Sequence, residues 1–234
     1  MRNARIGTNL ASKASRGRLP VTDPFGPARA GEGSAGMSLK PLARVRPLRR
    51  VLYRLARCRV KEKLVEITPT LALHDHVLDV GSGNCVLCQQ LRRRGYDIVP
   101  VDIDDLSFVR DTHPVVYNGE RLPFEDDSFD VALVVTVLHH TRDPDALLAE
   151  AKRVAKRVVV IEEVYRNCLE KYVTYSIDSL FNLEFLHHPH SNRTDRRWRY
   201  AFEGMGLRVD DAHYTRSLGV LRRVTYDLAR PSTS

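Results

Sequence analysis

Residues 76–90, HVLDVGSGNCVLCQQ, constrain the fold more than any other stretch of the chain. An apolar run (Val77, Leu78, Val80) carries Asp79, passes through Gly81-Ser82-Gly83 and continues into a helical segment reaching Arg94. Strand, glycine turn and helix, in that order, is the layout of a nucleotide-binding α/β unit. The glycines let the backbone approach a ligand closely, and the helix N-terminus offers unpaired N–H groups. A dinucleotide fold asks for G-x-G-x-x-G, whose last glycine allows close helix–strand packing. Here Val86 stands at that position.

At 234 residues the chain suffices for one α/β domain with its own core, and 43% hydrophobic against 28% charged residues is a globular balance. No apolar run approaches the roughly 18 residues of a membrane span. The net charge of +8 divides unevenly. Residues 1–61 hold 15 Lys and Arg against Asp23 and Glu32, a net of +13, and the other 173 hold 22 against 27 Asp and Glu, a net of −5. A nucleic-acid-binding domain carries its positive charge on the folded face, so this division argues against a nucleic-acid partner.

Residues 1–38 mix Gly, Ser, Ala, Pro and Arg with few large apolar residues. Such a segment buries too little surface to offset its ordering entropy, so a disordered basic tail (1–38) is expected before a folded domain (39–234). The Arg-rich, acid-poor tail also fits an organellar transit peptide, and initiation at Met37 is a third alternative. The expected location is cytoplasmic, or organellar if the tail is a transit peptide. Cysteines 58, 85, 88 and 168 are too few and scattered for a disulfide framework. Cys85-x-x-Cys88 has redox or zinc spacing without a second pair, so both are expected to begin the helix after the turn, one of them packing.

Over residues 42–67, Leu48, Val51, Leu52, Leu55 and Ala56 recur at helical steps, with arginines mostly between them. The plainer expectation is a helix capping the domain. The sharper one is peripheral membrane contact through a basic helix at 42–59. Residues 96–101 read as a second strand ending at Asp102, about twenty residues past the glycines, where a carboxylate can accept both ribose hydroxyls of a nucleoside. Asp104 and Asp105 read as the N-cap of a short helix through Val109. Residues 113–117 read as a third strand, and Asp130 opens a buried fourth. Asp143-Pro144 starts a helix with Leu147, Leu148 and Val154 inward, and residues 156–163 form a fifth strand.

An acid two positions before the first glycine (Asp79) and a second acid closing the next strand (Asp102) resemble motifs I and II of the class I S-adenosylmethionine (SAM) methyltransferases. That family shows acid-x-Gly-x-Gly-x-Gly; Cys85 stands where the third glycine would be. The stretch ERLPFEDDSFDVALVVTVLHH resembles the LPF-x-(D/E)-x-SFD and Leu-His-His signature of the methyltransferase type 11 group. The resemblance covers about residues 60–165 well and the remainder loosely. It implies an α/β, Rossmann-like sheet of seven strands, mostly parallel with the last antiparallel, flanked by helices. It implies SAM as cofactor, held by Asp79, Gly81, Ser82, Gly83, Asp102, Ile103, Asn118, Gly119, Thr136 and Val137. Asn118 would meet the adenine amino group through its carbonyl oxygen, Gly119 would present its amide to the ring, and Leu122, Pro123 and Phe124 would shape the loop. Thr136 to His139 would lie beside the methionine portion and the methyl group.

Methyl transfer from a sulfonium needs a positioned nucleophile and, for some acceptors, a base. His139, His140 and Glu162 are the candidate catalytic residues; Glu163 and the group His187, His188 and His190 are further titratable neighbours. No metal is expected at that HHPH cluster, which lacks a carboxylate or Cys at ligand spacing and reads as a substrate-gating loop. Residues 166–186 read as a helix over the pocket. Thr194 or Asp195 reads as the N-cap of a helix with Trp198 and Phe202, closed by Gly206. Residues 207–209 and 221–228 complete the sheet. Three functions stay open: methyl transfer to a small or lipid-like acceptor, a catalytically weak SAM- or partner-binding module, and an NAD-linked oxidoreductase. The acceptor and the oligomeric state have no signature in the sequence.

Overall fold

The computed structural model describes residues 46–165, 193–217 and 221–231. The tail, the 166–186 helix and the HHPH cluster lie outside the described residues. The chain order is α1 (Arg46–Ile67), β1 (His76–Val80), α2 (Val86–Arg92), β2 (Asp97–Asp102), β3 (Val115–Val116), β4 (Phe129–Val135), a 3-10 turn (Leu138–His140), α3 (Pro144–Val154), β5 (Ala155–Val164), α4 (Asp195–Gly204), β6 (Arg208–Ser217) and β7 (Leu221–Ala229).

The strands form one seven-stranded sheet in the order β3-β2-β1-β4-β5-β7-β6. β1 pairs in parallel with β2 and β4, β2 with β3, and β4 with β5; β7 alone runs antiparallel, wedged between β5 and β6. The expected seven strands and antiparallel last strand are both present. An all-parallel dinucleotide fold would order its strands 3-2-1-4-5-6. The β6–β7 hairpin closing this sheet departs from that order.

The sheet is buried on both faces, and strand alternation sorts its side chains. On one face Leu78, Val80, Ala132, Val134, Val158 and Val160 meet Leu147, Leu148 and Ala151 of α3 and Trp198 and Phe202 of α4. On the other, Val77, Val131, Leu133, Val159 and Ile161 meet Val60, Leu64 and Ile67 of α1 and Val86, Leu87 and Leu91 of α2. The helix starts follow their caps. Asp143 accepts from the Ala146 amide at 2.9 Å with Pro144 at the first helical position, and Thr194 accepts from Arg197. Gly206, at φ 64, follows α4 as the left-handed stop.

Two expectations are corrected. Asp104 and Asp105 cap no helix, because side-chain bonds replace helical ones between β2 and β3. There Asp105 accepts from the Ser107 amide at 3.0 Å and pairs with His113 at 2.7 Å, and the Ser107 hydroxyl accepts from the Val109 amide. The inward stripe of α1 also lies later than its early apolar spacing suggests: Val60, Leu64 and Ile67 are buried, whereas Val51 and Leu55 are each 51% exposed. Among the described residues, no helix is long and apolar enough to cross a membrane.

Candidate functional site

β1, β2 and β4 end together at one edge of the sheet, and the glycine turn is stitched across them. The amides of Gly81 and Ser82 both donate to the Val101 carbonyl, at 2.9 and 3.1 Å. The Gly83 amide donates to Asp102 Oδ2 at 2.6 Å, and Cys85 N reaches Ser82 O at 3.0 Å. Val86 N is held by the Asn84 side chain at 3.1 Å. The turn therefore spends its own amides internally, contrary to the expectation of a free N–H cradle. Glycine is needed here for space and backbone shape. A Cβ on Gly81 (φ 71) would sit 2.3 Å from Val137 Cγ2 and 2.9 Å from Val137 Cβ, so the turn lies directly on the end of β4.

Cys85 holds a left-handed backbone, with φ 57 and ψ 10, in the region that favours glycine. That left-handed backbone costs a non-glycine residue about 1–2 kcal/mol. Cys85 and Cys88 are both fully buried, so both pack rather than one. Burial pushes both thiols up, Cys88 well up, which marks inert rather than reactive cysteines.

Two carboxylates flank the turn in different states. Asp102 is half-buried and doubly satisfied: Oδ2 accepts from Gly83 N, Oδ1 from Ile103 N at 2.7 Å. Each carboxylate oxygen keeps capacity for a further donor, so the side chain is fixed and still able to accept a hydroxyl. Asp79 is 2% exposed, with Oδ2 accepting from the Cys88 thiol at 3.1 Å. Desolvation pushes its carboxyl up to about 6, against the opposing pulls of the Cys88 bond and of Lys63.

In the loop after β3, Asn118 is exposed and its Oδ1 accepts from the amides of Glu120 and Arg121, at 3.0 and 3.3 Å. The oxygen expected to meet the adenine amino group is thus committed to its own turn. Gly119 holds φ 82, with Ile103 beside it: a Cβ there would lie 3.3 Å from Ile103 Cγ2. Ile103 is 58% exposed and forms, with Gly119, an apolar step next to Asp102.

At the end of β4, Thr136 turns into the left-handed region (φ 52), an outlier for a β-branched residue. Beyond it, the Leu138–His140 turn brings two of the candidate catalytic residues onto a third. Glu162 Oε1 accepts from Leu138 N at 2.8 Å, and Glu162 Oε2 lies 2.6 Å from His139 Nδ1. Both His139 and Glu162 are buried, whereas His140 is half-buried with its ring centroid 4.0 Å from that of His139. Strand alternation sends Glu163 to the opposite face, the α1 side.

One contributor escaped the sequence reading altogether. Lys63 of α1 donates to Thr136 Oγ1 at 2.7 Å across 73 residues of chain. Under the same helix, buried Arg223 meets Glu66 at 3.1 Å, and Glu66 also accepts from Thr215 at 2.7 Å. No local signal marks these residues, because their partners come from α1, the end of β4, β6 and β7. A groove lined by Asp126, Asp127, Lys152, Arg153, Met205 and Arg230 lies at the opposite, amino-terminal edge of the sheet. Arg153 and Arg230 are paired there with Asp126 and Asp127 and with backbone carbonyls, so it is a stitched seam.

Residues 78–161 match the family model described as a methyltransferase domain of the type 11 group. The demethylmenaquinone methyltransferase of Streptomyces griseus is 32% identical over 95 residues, 37% of this chain and 41% of that protein. Across the curated relatives the matched stretches span only 21% to 41% of the relatives' own length. A putative methyltransferase from Bacillus halodurans superposes with a TM-score of 0.56 at 14% identity, covering 73% of this chain and 98% of that one. Magnesium protoporphyrin IX methyltransferase from Synechocystis, solved with S-adenosylhomocysteine (SAH), gives 0.54 at 16% identity over 86% and 90%. At such identities the structures speak for the fold. Residues 78–161 are thus similar to a type 11 methyltransferase domain, set in a sheet of the fold that these solved methyltransferases share.

Proposed function

We propose that the protein transfers the methyl group of SAM to a small or lipophilic acceptor entering beside the end of β4. The observation that carries this reading is the charge and hydrogen-bond state of the glycine turn. A dinucleotide brings a pyrophosphate, which needs free turn amides; an acid ending the next strand serves its ribose equally well, so Asp102 alone does not discriminate. Here the turn amides are spent on Val101 and Asp102, and Asp79 and Asp102 flank the turn. A sulfonium nucleoside has hydroxyls and positive charges in place of phosphates. It has no phosphate that would need those amides.

The roles follow the strand order. Asp102, at the end of β2, accepts the ribose hydroxyls, and Ile103 and Gly119 cover the adenine. Gly81, Ser82 and Gly83 let the cofactor cross β1, and Asp79, Thr136 and Val137 face its methionine end. The thioether leaves unaided once the nucleophile is aligned with the methyl–sulfur bond. His140 takes the acceptor's proton where the acceptor carries one, since neutral imidazole is a fitting base near pH 7. His139 and Glu162, buried and bonded to each other, hold that turn in place.

A lipophilic acceptor is supported by two features. The relative from Streptomyces griseus is named for a quinone substrate. The outer half of α1 exposes Val51 and Leu55 beside exposed Arg50, Arg54 and Arg57, a surface suited to peripheral contact with anionic lipid. Titration calorimetry of the full chain with SAH, SAM and NADH tests the cofactor. Micromolar binding of the first two, lost in Asp102→Ala, is expected; binding of NADH alone would overturn the reading. Labelled SAM with a panel of quinols and phenols then tests the acceptor.

A further inference from the structure

The helix α1 carries two contrasting faces. On the inner one, Tyr53 and Ala56 pack against the core shared with α2, and the Tyr53 hydroxyl donates to Gln89 Oε1 at 2.6 Å. Val60, Leu64 and Ile67 continue that line and are buried. On the outer face, Val51, Leu55, Cys58, Glu62 and Val65 follow one another at alternating four- and three-residue steps, which share one side of a helix. All five are exposed, Val51 and Leu55 to 51% and Val65 to 74%. Glu62, the acid on this line, is turned to Arg223 Nη2 at 3.7 Å. Along one flank of the apolar row runs a second exposed row of the same spacing, Arg50, Arg54, Arg57 and Lys61.

We propose that the outer face of α1 docks on an anionic bilayer, with the apolar row entering the headgroup boundary and the cationic row reaching the lipid phosphates. Three observations carry this. Charge selects the partner: between Glu32 and Glu62 the sequence holds nine Lys and Arg and no acid. Long cationic stems beside an apolar row can lie along the interface and keep their heads at its charged layer. Charge also sets the orientation, because residues 62–234 carry a net of −5 and an anionic surface repels that body while it draws α1 in. Shape agrees as well. Both rows lie on the convex surface of a helix, and a fluid bilayer offers anions and apolar depth along its whole length.

The docked helix adjoins the end of β4. Farther along α1, Lys63 Nζ donates to Thr136 Oγ1 at 2.7 Å. A bilayer against α1 therefore borders the edge of the sheet where the acceptor enters. The docking stands on α1 alone; that the bilayer also supplies the acceptor rests on the methyl-transfer reading above.

The test is flotation of the full chain with vesicles of mixed phosphatidylglycerol and phosphatidylcholine, beside vesicles of phosphatidylcholine alone. Binding to the mixed vesicles is expected, weakened by about tenfold or more in about 0.5 M salt, and the neutral vesicles should bind far less. Arg54→Gln with Arg57→Gln should weaken binding by about 25-fold, roughly fivefold for each cation. Leu55→Asp should weaken it by about tenfold or more. These side chains are exposed, so the variants should melt with the unaltered protein. Leu55→Trp adds a direct readout: lipids with brominated acyl chains should quench its added fluorescence, while Trp198, fully buried on the other face of the sheet, stays bright. Flotation that survives both the arginine pair and Leu55→Asp, or fluorescence of Leu55→Trp that bromine leaves untouched, overturns the assignment and passes lipid binding to the basic residues before α1. Absence of flotation overturns it too, and a dimer in sedimentation that Leu55→Asp dissolves would then give this face to a second copy of the chain. SAH binding without flotation sinks the docking alone. Flotation without SAH binding leaves the docking standing and removes the methyl-transfer reading.

Discussion

Gly81 is the position where a single methyl group does most damage, and the damage can be divided into two parts. An alanine there meets the left-handed backbone (φ 71), which costs an L-residue about 1–2 kcal/mol. Its Cβ also lies 2.3 Å from Val137 Cγ2 and 2.9 Å from Val137 Cβ. Rotating Val137 about χ1 moves the first contact and not the second, so the turn or the end of β4 must shift. Overpacking of that kind costs about 1–3 kcal/mol. Gly81→Ala should therefore lower stability by about 2–5 kcal/mol. Val137→Ala alone removes half-buried methyls and should cost about 1–2 kcal/mol. In the double variant the clash with Cγ2 is gone while the backbone strain remains, so the two losses should fall short of additivity by about 1–2 kcal/mol. Urea unfolding followed by the fluorescence of Trp198 reads this directly, since it is the only tryptophan and is fully buried. Gly83 provides the control, with φ 52 and open space where a Cβ would stand. Gly83→Ala should cost about 1–2 kcal/mol and show no coupling to Val137. A Gly81–Val137 cycle that closes within about 0.5 kcal/mol would refute the contact between the turn and β4.

Other perturbations test the site's electrostatics, its replaced glycine and its helix caps. Asp79 has a folded pKa of about 6, above its unfolded value, so its contribution to stability is fully present below about pH 4 and lost as pH rises through 6. Asp79→Asn fixes the neutral form and should stabilise the ligand-free protein by about 2–3 kcal/mol above pH 7 and by nothing near pH 4; a gain independent of pH in urea titrations contradicts this. At Cys85, alanine keeps the left-handed strain and loses the packed sulfur, whereas glycine relieves the strain. Cys85→Gly should therefore be at least as stable as Cys85→Ala in thermal melts, and the reverse order would count against the strain. Asp143→Ala should cost about 1 kcal/mol, and Thr194→Ala less, because the Asp143 cap bond is 2.9 Å and that of Thr194 is 3.4 Å; equal losses in urea midpoints would show that cap geometry is irrelevant here.

The parts of this fold that were legible in the sequence are those whose signal is local. The β1–turn–α2 unit announces itself through Val77 to Val80, the glycines and the apolar run after them. The start of α3 is written in Asp143-Pro144 and its burial in Leu147, Leu148 and Val154. Asp79 lies in β1 and Asp102 closes β2, as the apolar runs around them indicate. What escaped depends on distant partners. Nothing near Lys63 marks it as the neighbour of Thr136, 73 residues away, and nothing near Glu66 foretells Thr215 and Arg223. The crossing from β2 to β3 misled because Asp105 can begin a helix or tie a turn with equal ease, and Ser107 and His113 decided for the turn. Asn118 was read for a ligand contact, yet its side chain closes its own loop.

Most of the residues that break local rules gather in one place, Asp127 (φ 55) at the opposite edge of the sheet excepted. Cys85 and Thr136 hold left-handed backbones, Asp79 carries a buried carboxyl pushed up to about 6, and Lys63 an ammonium lowered to about 8. All four surround the glycine turn and the end of β4, while the two cores on either face of the sheet follow alternation except at the first residues of β4 and β5, Phe129 and Ala155. Such concentration is expected where structure serves a ligand rather than stability, since strain persists only where the surroundings over-determine it. Asp102 makes the contrast sharper: close to the same turn, it has two backbone donors and holds the turn in shape. One acid builds the cradle and the other is left discontented inside it. Asp79 and Lys63, more than the glycine spacing, set this edge of the sheet apart from the rest of the fold.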